Sequence, residues 1–132
     1  MKKILVILLP ILFVLISFNA CNDDDDKKKI IFYEIGISAH PDQTTEVSIG
    51  NYDIGNLTAY AYIKGGDGTF SFKSSNQSVV DNSSISAVPT KSPDYPYFFY
   101  FKPLALGETT ITVSDSEGNT ATLKVTIYKF GE

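Results

Sequence analysis

The stretch from residue 109 to residue 128 constrains this chain more than any other. Ile111 and Val113 alternate with Thr110 and Thr112, and then Ala121, Leu123, Val125 and Ile127 alternate with Thr122, Lys124, Thr126 and Tyr128. A period of two sends successive side chains to opposite faces, so both runs read as strands with one buried and one wet face. Between them, Ser114-Asp115-Ser116-Glu117-Gly118-Asn119 supplies the turn chemistry that closes a hairpin. No run from Tyr33 onward has the 3.6-residue period of a helix of useful length.

Earlier segments follow the same alternation. Leu57, Ala59, Ala61 and Ile63 are expected to face inward, with Thr58, Tyr60, Tyr62 and Lys64 outward. Gly65-Gly66-Asp67-Gly68 then turns the chain into 69–73, where Phe70 and Phe72 share a face. In 97–102, Lys102 sets the parity: Tyr97, Phe99 and Phe101 face in, Phe98 and Tyr100 out. Weaker strand candidates are 32–37, 46–49, 78–81 and 85–88. About seven short strands punctuated by Gly, Asn, Asp and Pro imply an all-β antiparallel sandwich.

The runs Gly65-Gly66-Asp67-Gly68-Thr69-Phe70-Ser71-Phe72, Ser75-Asn76-Gln77-Ser78-Val79-Val80 and Leu106-Gly107-Glu108-Thr109-Thr110-Ile111-Thr112-Val113, followed by 115–127, resemble bacterial immunoglobulin-like (BIG) domains. The resemblance covers about residues 35–128 and implies an immunoglobulin-like sandwich. Many relatives carry Trp where Phe72 stands, so the core centre here is smaller. With one cysteine in the chain there is no internal disulfide, and a sandwich of this size must be held by its core alone.

The N-terminus is an address. Lys2 and Lys3 precede thirteen residues, 4–16, without a polar or charged side chain, and Ala20 precedes the lone Cys21. The run is short for a bilayer span, which needs about 20 residues, and has the layout of a secretory signal. It resembles a bacterial lipoprotein precursor, cut just before a cysteine that becomes lipid-modified. That resemblance implies a signal peptide at 1–20, lipidation of Cys21, a charged tether through 32 and one folded domain over 33–132. The cluster Asp23, Asp24, Asp25, Asp26 is similar to the export signal of Bacteroidetes surface lipoproteins, implying an outer-membrane anchor facing the exterior, with a periplasmic location as the alternative. From Cys21 onward the chain keeps 9 of its 11 lysines and all 15 carboxylates, a net charge of −6 with an acylated terminus.

Composition removes several activities. One His and one Cys cannot build an N/S zinc site. The absence of arginine and the negative balance argue against a nucleic-acid surface. His40 precedes Pro41 in a loop with no nucleophile elbow in the chain, and the scattered aspartates, Asp53, Asp67, Asp81, Asp94 and Asp115, sit at expected turns. Residues 115–119 offer oxygen ligands at alternate positions, as calcium prefers, but lack the closing Glu of an EF-hand loop; no metal or cofactor is assigned. The expected protein is a non-catalytic module that meets a protein or glycan, with Tyr60, Tyr62, Tyr95, Phe98 and Tyr100 as its candidate contact surface; the alternative for these rings is cross-strand packing that stiffens the sheet, or cover by the 89–96 loop. A structural or accessory subunit of a fimbrial or outer-membrane uptake assembly is the alternative.

Overall fold

The structure, a computed structural model, describes residues 29–36 and 40–131. The leader, Cys21 and the acidic run 23–26 lie outside the described residues. The strands are β1 (Ile31–Glu34), β2 (Gln43–Thr44), β3 (Glu46–Gly50), β4 (Thr58–Lys64), β5 (Phe70–Ser74), β6 (Ser86–Pro89), β7 (Tyr97–Phe101), β8 (Gly107–Asp115) and β9 (Thr120–Tyr128). They form a five-stranded sheet, β2-β1-β4-β7-β6, and a four-stranded sheet, β3-β9-β8-β5. Setting β2 and β3 aside, these are the A-B-E-D and G-F-C orders of an immunoglobulin sandwich. The expected all-β fold is the fold observed.

The hairpin at 109–128 sits where its alternation demands. Ile111, Val113, Leu123 and Val125 are fully buried, and Ile127 nearly so. Phe99 is the hub of the opposing sheet, with ring centroids 5.5 Å from Phe32, 5.8 Å from Phe72 and 5.5 Å from Phe101. Each such ring removed from water contributes about 1.5–3 kcal/mol.

Residues 43–50 supply two strands where one was expected. β2 pairs with β1, the chain bends at Thr45, and β3 then runs parallel to β9 in the other sheet, from Glu46 opposite Lys124 to Gly50 opposite Tyr128. The Thr44 hydroxyl donates to the Glu46 carbonyl at 2.7 Å, and the Thr45 carbonyl accepts from Lys124 N–H at 2.9 Å, which fixes the crossing. Among the described residues this is the one parallel pairing between otherwise antiparallel neighbours. β9 therefore lies inside its sheet, flanked by β3 and β8.

Two expected strands are corrected. Residues 78–81 form a turn, with only a bridge from Val80 to Pro103. The Asn76 carbonyl accepts from both Val79 and Val80 N–H, and its side chain accepts from Ser78 N–H and hydroxyl. An asparagine that offers the backbone these local partners outcompetes the β-preference of two valines. Both valines are nevertheless buried. The strand expected at 32–37 stops at Glu34; Ile35 and Gly36 leave the ladder, and Ile37 lies outside the described residues.

Candidate contact face on the five-stranded sheet

The two outer faces of the sandwich differ in chemistry. On the four-stranded sheet the registered outward pairs are Thr110–Lys124, Thr112–Thr122, Lys73–Thr112 and Glu108–Thr126, with Lys124 and Glu108 in a 3.1 Å ion pair. That is the wet face an antiparallel sheet ordinarily shows. On the five-stranded sheet the outward pairs are Tyr33–Gln43, Ile31–Lys64, Tyr33–Tyr62, Ala59–Tyr100, Tyr62–Phe98, Val88–Phe98 and Ser86–Tyr100. Across the middle of this sheet, around Tyr62 and Phe98, aromatic and apolar groups stand where threonine and lysine stand on the other side.

The rings are in contact. Tyr62 contacts both Tyr95, at 5.3 Å and 34°, and Phe98, at 5.4 Å and 28°. Tyr33 meets Tyr95 edge-on at 5.2 Å, and Phe98 meets Tyr100 at 6.1 Å. All five are half-buried, each sheltering its neighbours. Tyr95 arrives from the loop between β6 and β7, which Thr90 pins. The Thr90 hydroxyl donates to the Tyr95 carbonyl at 2.6 Å, and Thr90 N–H donates to the Pro96 carbonyl at 2.8 Å. A short loop so tied carries its tyrosine over two strands at little further entropic cost.

Tyr60 is not part of this row, against the expectation. The ladder between β4 and β7 shifts between Ala59 and Ala61: Ala61 opposes Phe99, Ala59 opposes Tyr100 and Thr58 opposes Phe101, leaving Tyr60 unpaired. This extra residue, a β-bulge, reverses the parity of everything before it. Tyr60 turns onto the core, its ring 4.6 Å from Phe101, while Leu57, expected inward, is 57% exposed. Among the described residues no partner reaches the buried Tyr60 hydroxyl with hydrogen-bonding geometry, although Thr58 and Asp53 lie near enough to act on it. Burial raises its pKa above the ordinary phenol value; the Thr58 hydroxyl opposes this and the charge of Asp53 reinforces it.

Tyr33 and Val88 belong to the face and were not singled out from the residues. The signal was present: Phe32 faces in, so Tyr33 faces out, and Val88 opposes Phe98. Lys64 is the charged outward residue of the sheet, and none of the outward strand positions described carries a carboxylate.

The other sequence candidates fall elsewhere. His40 is exposed in the chain between β1 and β2. Asp115 closes the β8–β9 turn: one carboxylate oxygen accepts from Glu117 and Asn119 N–H at 3.0 and 2.8 Å, the other from the Asn119 side chain at 2.8 Å and Asp67 N–H at 3.1 Å. Four donors occupy the carboxylate, and Asp67 in turn accepts from the Ser116 hydroxyl. Among the described residues no three His, Cys, Asp or Glu side chains converge as metal ligands would. A cleft of about 530 Å³ opens between the beginnings of β1 and β9, lined by Lys29, Ile30, Gln43 and the threonines at 44, 45, 120 and 122.

No protein-family model matches the chain, and no curated protein or solved structure shows detectable similarity to it.

Proposed function

We propose that this chain is a lipid-anchored, non-catalytic immunoglobulin-like module, displayed on the outer face of an outer membrane, that binds a protein or glycan partner through its five-stranded sheet. The observation that carries the binding role is the replacement of a wet outer face by the contacting row Tyr33, Tyr95, Tyr62, Phe98 and Tyr100. Tyrosine and phenylalanine bring rigid contact area at low conformational cost, the currency of recognition surfaces. The anchoring role is supported by the apolar leader ending at Cys21, and its outward direction by the acidic run that follows. The eight residues 22–29 reach at most about 26–29 Å, so the sandwich stays beside its membrane. Two or more acyl chains hold it there, since each buried methylene contributes about 0.8 kcal/mol.

Replacing Cys21 by Ser tests the anchor: the chain should lose metabolic acyl label and leave the membrane fraction. Adding protease to intact cells tests the display, and survival of the chain until the cells are lysed would refute an exterior location. For the contact face, Tyr62→Ser with Tyr100→Ser should abolish binding to glycan arrays or surface proteins while the melting transition persists. Unchanged binding would remove this face from the function.

A further inference from the structure

We infer that the cleft between β1 and β9 is a strand-addition site that takes a short extended segment of another polypeptide. The inference stands apart from the aromatic face and from the anchor, since it rests on main-chain groups at the opening between the two sheets. The extent of pairing comes first. β9 runs over nine residues, Thr120–Tyr128, but β3 covers it only from Lys124 onward. Lys124 N–H donates to the Thr45 carbonyl on that side. Main-chain groups alternate along a strand, so Thr122, and before it Thr120, point their N–H and carbonyl groups to the same side, on the stretch that β3 leaves bare. Among the described residues the Thr122 main chain has no hydrogen-bond partner there.

The other wall is open in the same way. Glu34 N–H donates to the Asp42 carbonyl on the β2 side, and Phe32 is registered with Thr44 there. Ile30 turns its main chain to that side too, where β2 has already ended and the chain has crossed at Thr45 to the other sheet. Two strand edges therefore border one cleft of about 530 Å³. Open donors and acceptors at strand spacing select an extended polypeptide, which meets them in register; a sugar or an acyl chain does not. β3 already pairs along this edge of β9, so its geometry suits a neighbouring strand.

Side chains give the site its shape. The inward residues of β9 are Ala121, Leu123, Val125 and Ile127, and the small one stands where the cleft opens. β3 places Val47 opposite Val125 and Ile49 opposite Ile127. A segment continuing that line sets one side chain opposite Ala121, beside the buried Ile30 and Phe32. Val, Ile or Leu suits this position, and Lys29, the charged side chain of the lining, disfavours a basic segment. The chain's own residues 22–29 do not supply the strand: Asn22, four aspartates and three lysines hold no apolar side chain for the gap. The bare stretch of β9, 120–123, is about 13 Å long, so the segment is short.

The test is nuclear magnetic resonance on the isotope-labelled full chain in detergent micelles. In the free chain the Thr122 amide should exchange with deuterated solvent about tenfold or more faster than the bonded Lys124 amide. Slow exchange at Thr122 would mean that the edge is already occupied and would overturn the inference. Capped hexapeptides alternating Thr with Val, Ile or Leu are then added to about 1 mM. At least one should shift the Thr122 and Ala121 resonances and slow Thr122 exchange several-fold; no effect from any of them would overturn the inference. The active peptide is next N-methylated at its odd or at its even residues. The form methylated on the pairing edge should lose both effects and the other form keep them, and identical behaviour of the two would refute main-chain pairing. Ala121→Leu fills the gap and should abolish the shifts while the melting transition persists. The methylated peptides need no substitution, so they decide the matter even where that variant fails to fold. Tyr62→Ser with Tyr100→Ser should leave this binding intact; its loss there would assign the peptides to the aromatic face instead.

Discussion

Tyr60 occupies the unpaired position of the bulge in β4, with its hydroxyl buried and no partner in hydrogen-bonding geometry among the described residues. A hydroxyl withdrawn from water without a partner opposes folding, so Tyr60→Phe should leave stability unchanged or raise it by up to about 1 kcal/mol in denaturant melts. Because burial raises the phenol's pKa in the folded state, its contribution is complete below the unfolded value of about 10 and is lost as pH rises through the folded value. Wild-type protein should therefore weaken more steeply than Tyr60→Phe above about pH 10, where parallel curves would contradict this assignment. Asp115 behaves in the opposite sense. Burial works to raise its carboxyl, but the Asn119 side chain and the N–H groups of Asn119 and Glu117 outweigh it and hold the pKa below the ordinary value. Asp67 is lowered too, first by the Ser116 hydroxyl and then by Thr69 N–H. Stability from this pair is present above about pH 3.9 and drains away as pH falls through their native values. Asp115→Asn should flatten the acid limb of a stability profile measured from pH 6 to 2.

At the level of elements, the turn between β4 and β5 explains how the chain entering β1 is held to the sandwich. Gly65 and Gly66 have φ of 91° and 74°, the left-handed region open to glycine. A Cβ at Gly65 would strike the Lys29 carbonyl oxygen, because the incoming chain lies directly against this turn. Gly118, in the β8–β9 turn, has a similar φ of 92° but open space around it. Both Ala substitutions incur backbone strain of about 1–3 kcal/mol, and only Gly65→Ala adds a collision with main chain. Its thermal midpoint should fall clearly further than that of Gly118→Ala; equal losses would mean that Lys29 is not packed there. The bulge in β4 is the other element-scale device. It spends one residue to turn a tyrosine into the core and to carry Leu57 to the surface, breaking the alternation on which the reading of that strand relied.

Across the whole molecule, two neighbours on β7 report the sandwich. Phe99 is fully buried between the sheets, while Phe98 stands half-buried on the outer face. Phe99→Ala should cost about 3–5 kcal/mol, a large part of the 5–15 kcal/mol that holds a domain folded. Phe98→Ala removes cross-strand contacts worth about 0.2–1 kcal/mol each and should leave a cooperative transition. Comparable losses at the two positions would contradict the layered arrangement. The inner faces hold the fold, and the aromatic outer face can be altered without unmaking it.

Alternation alone determined the class of fold, the 109–128 hairpin, the facing of β7 and most of the aromatic row, because side-chain direction in a strand follows from position and needs no knowledge of neighbours. What tertiary structure decided was whatever depends on a second chain segment: the bulge that turned Tyr60 inward, the crossing at Thr45 that carried β3 parallel to β9, and the Asn76 turn that displaced a strand of valines. It also decided that Tyr33, Tyr62, Tyr95 and Phe98, drawn from β1, β4, β7 and a loop, come to stand side by side. Pairing register is set by contacts between segments far apart in the chain, and no local pattern encodes which strand will lie beside which.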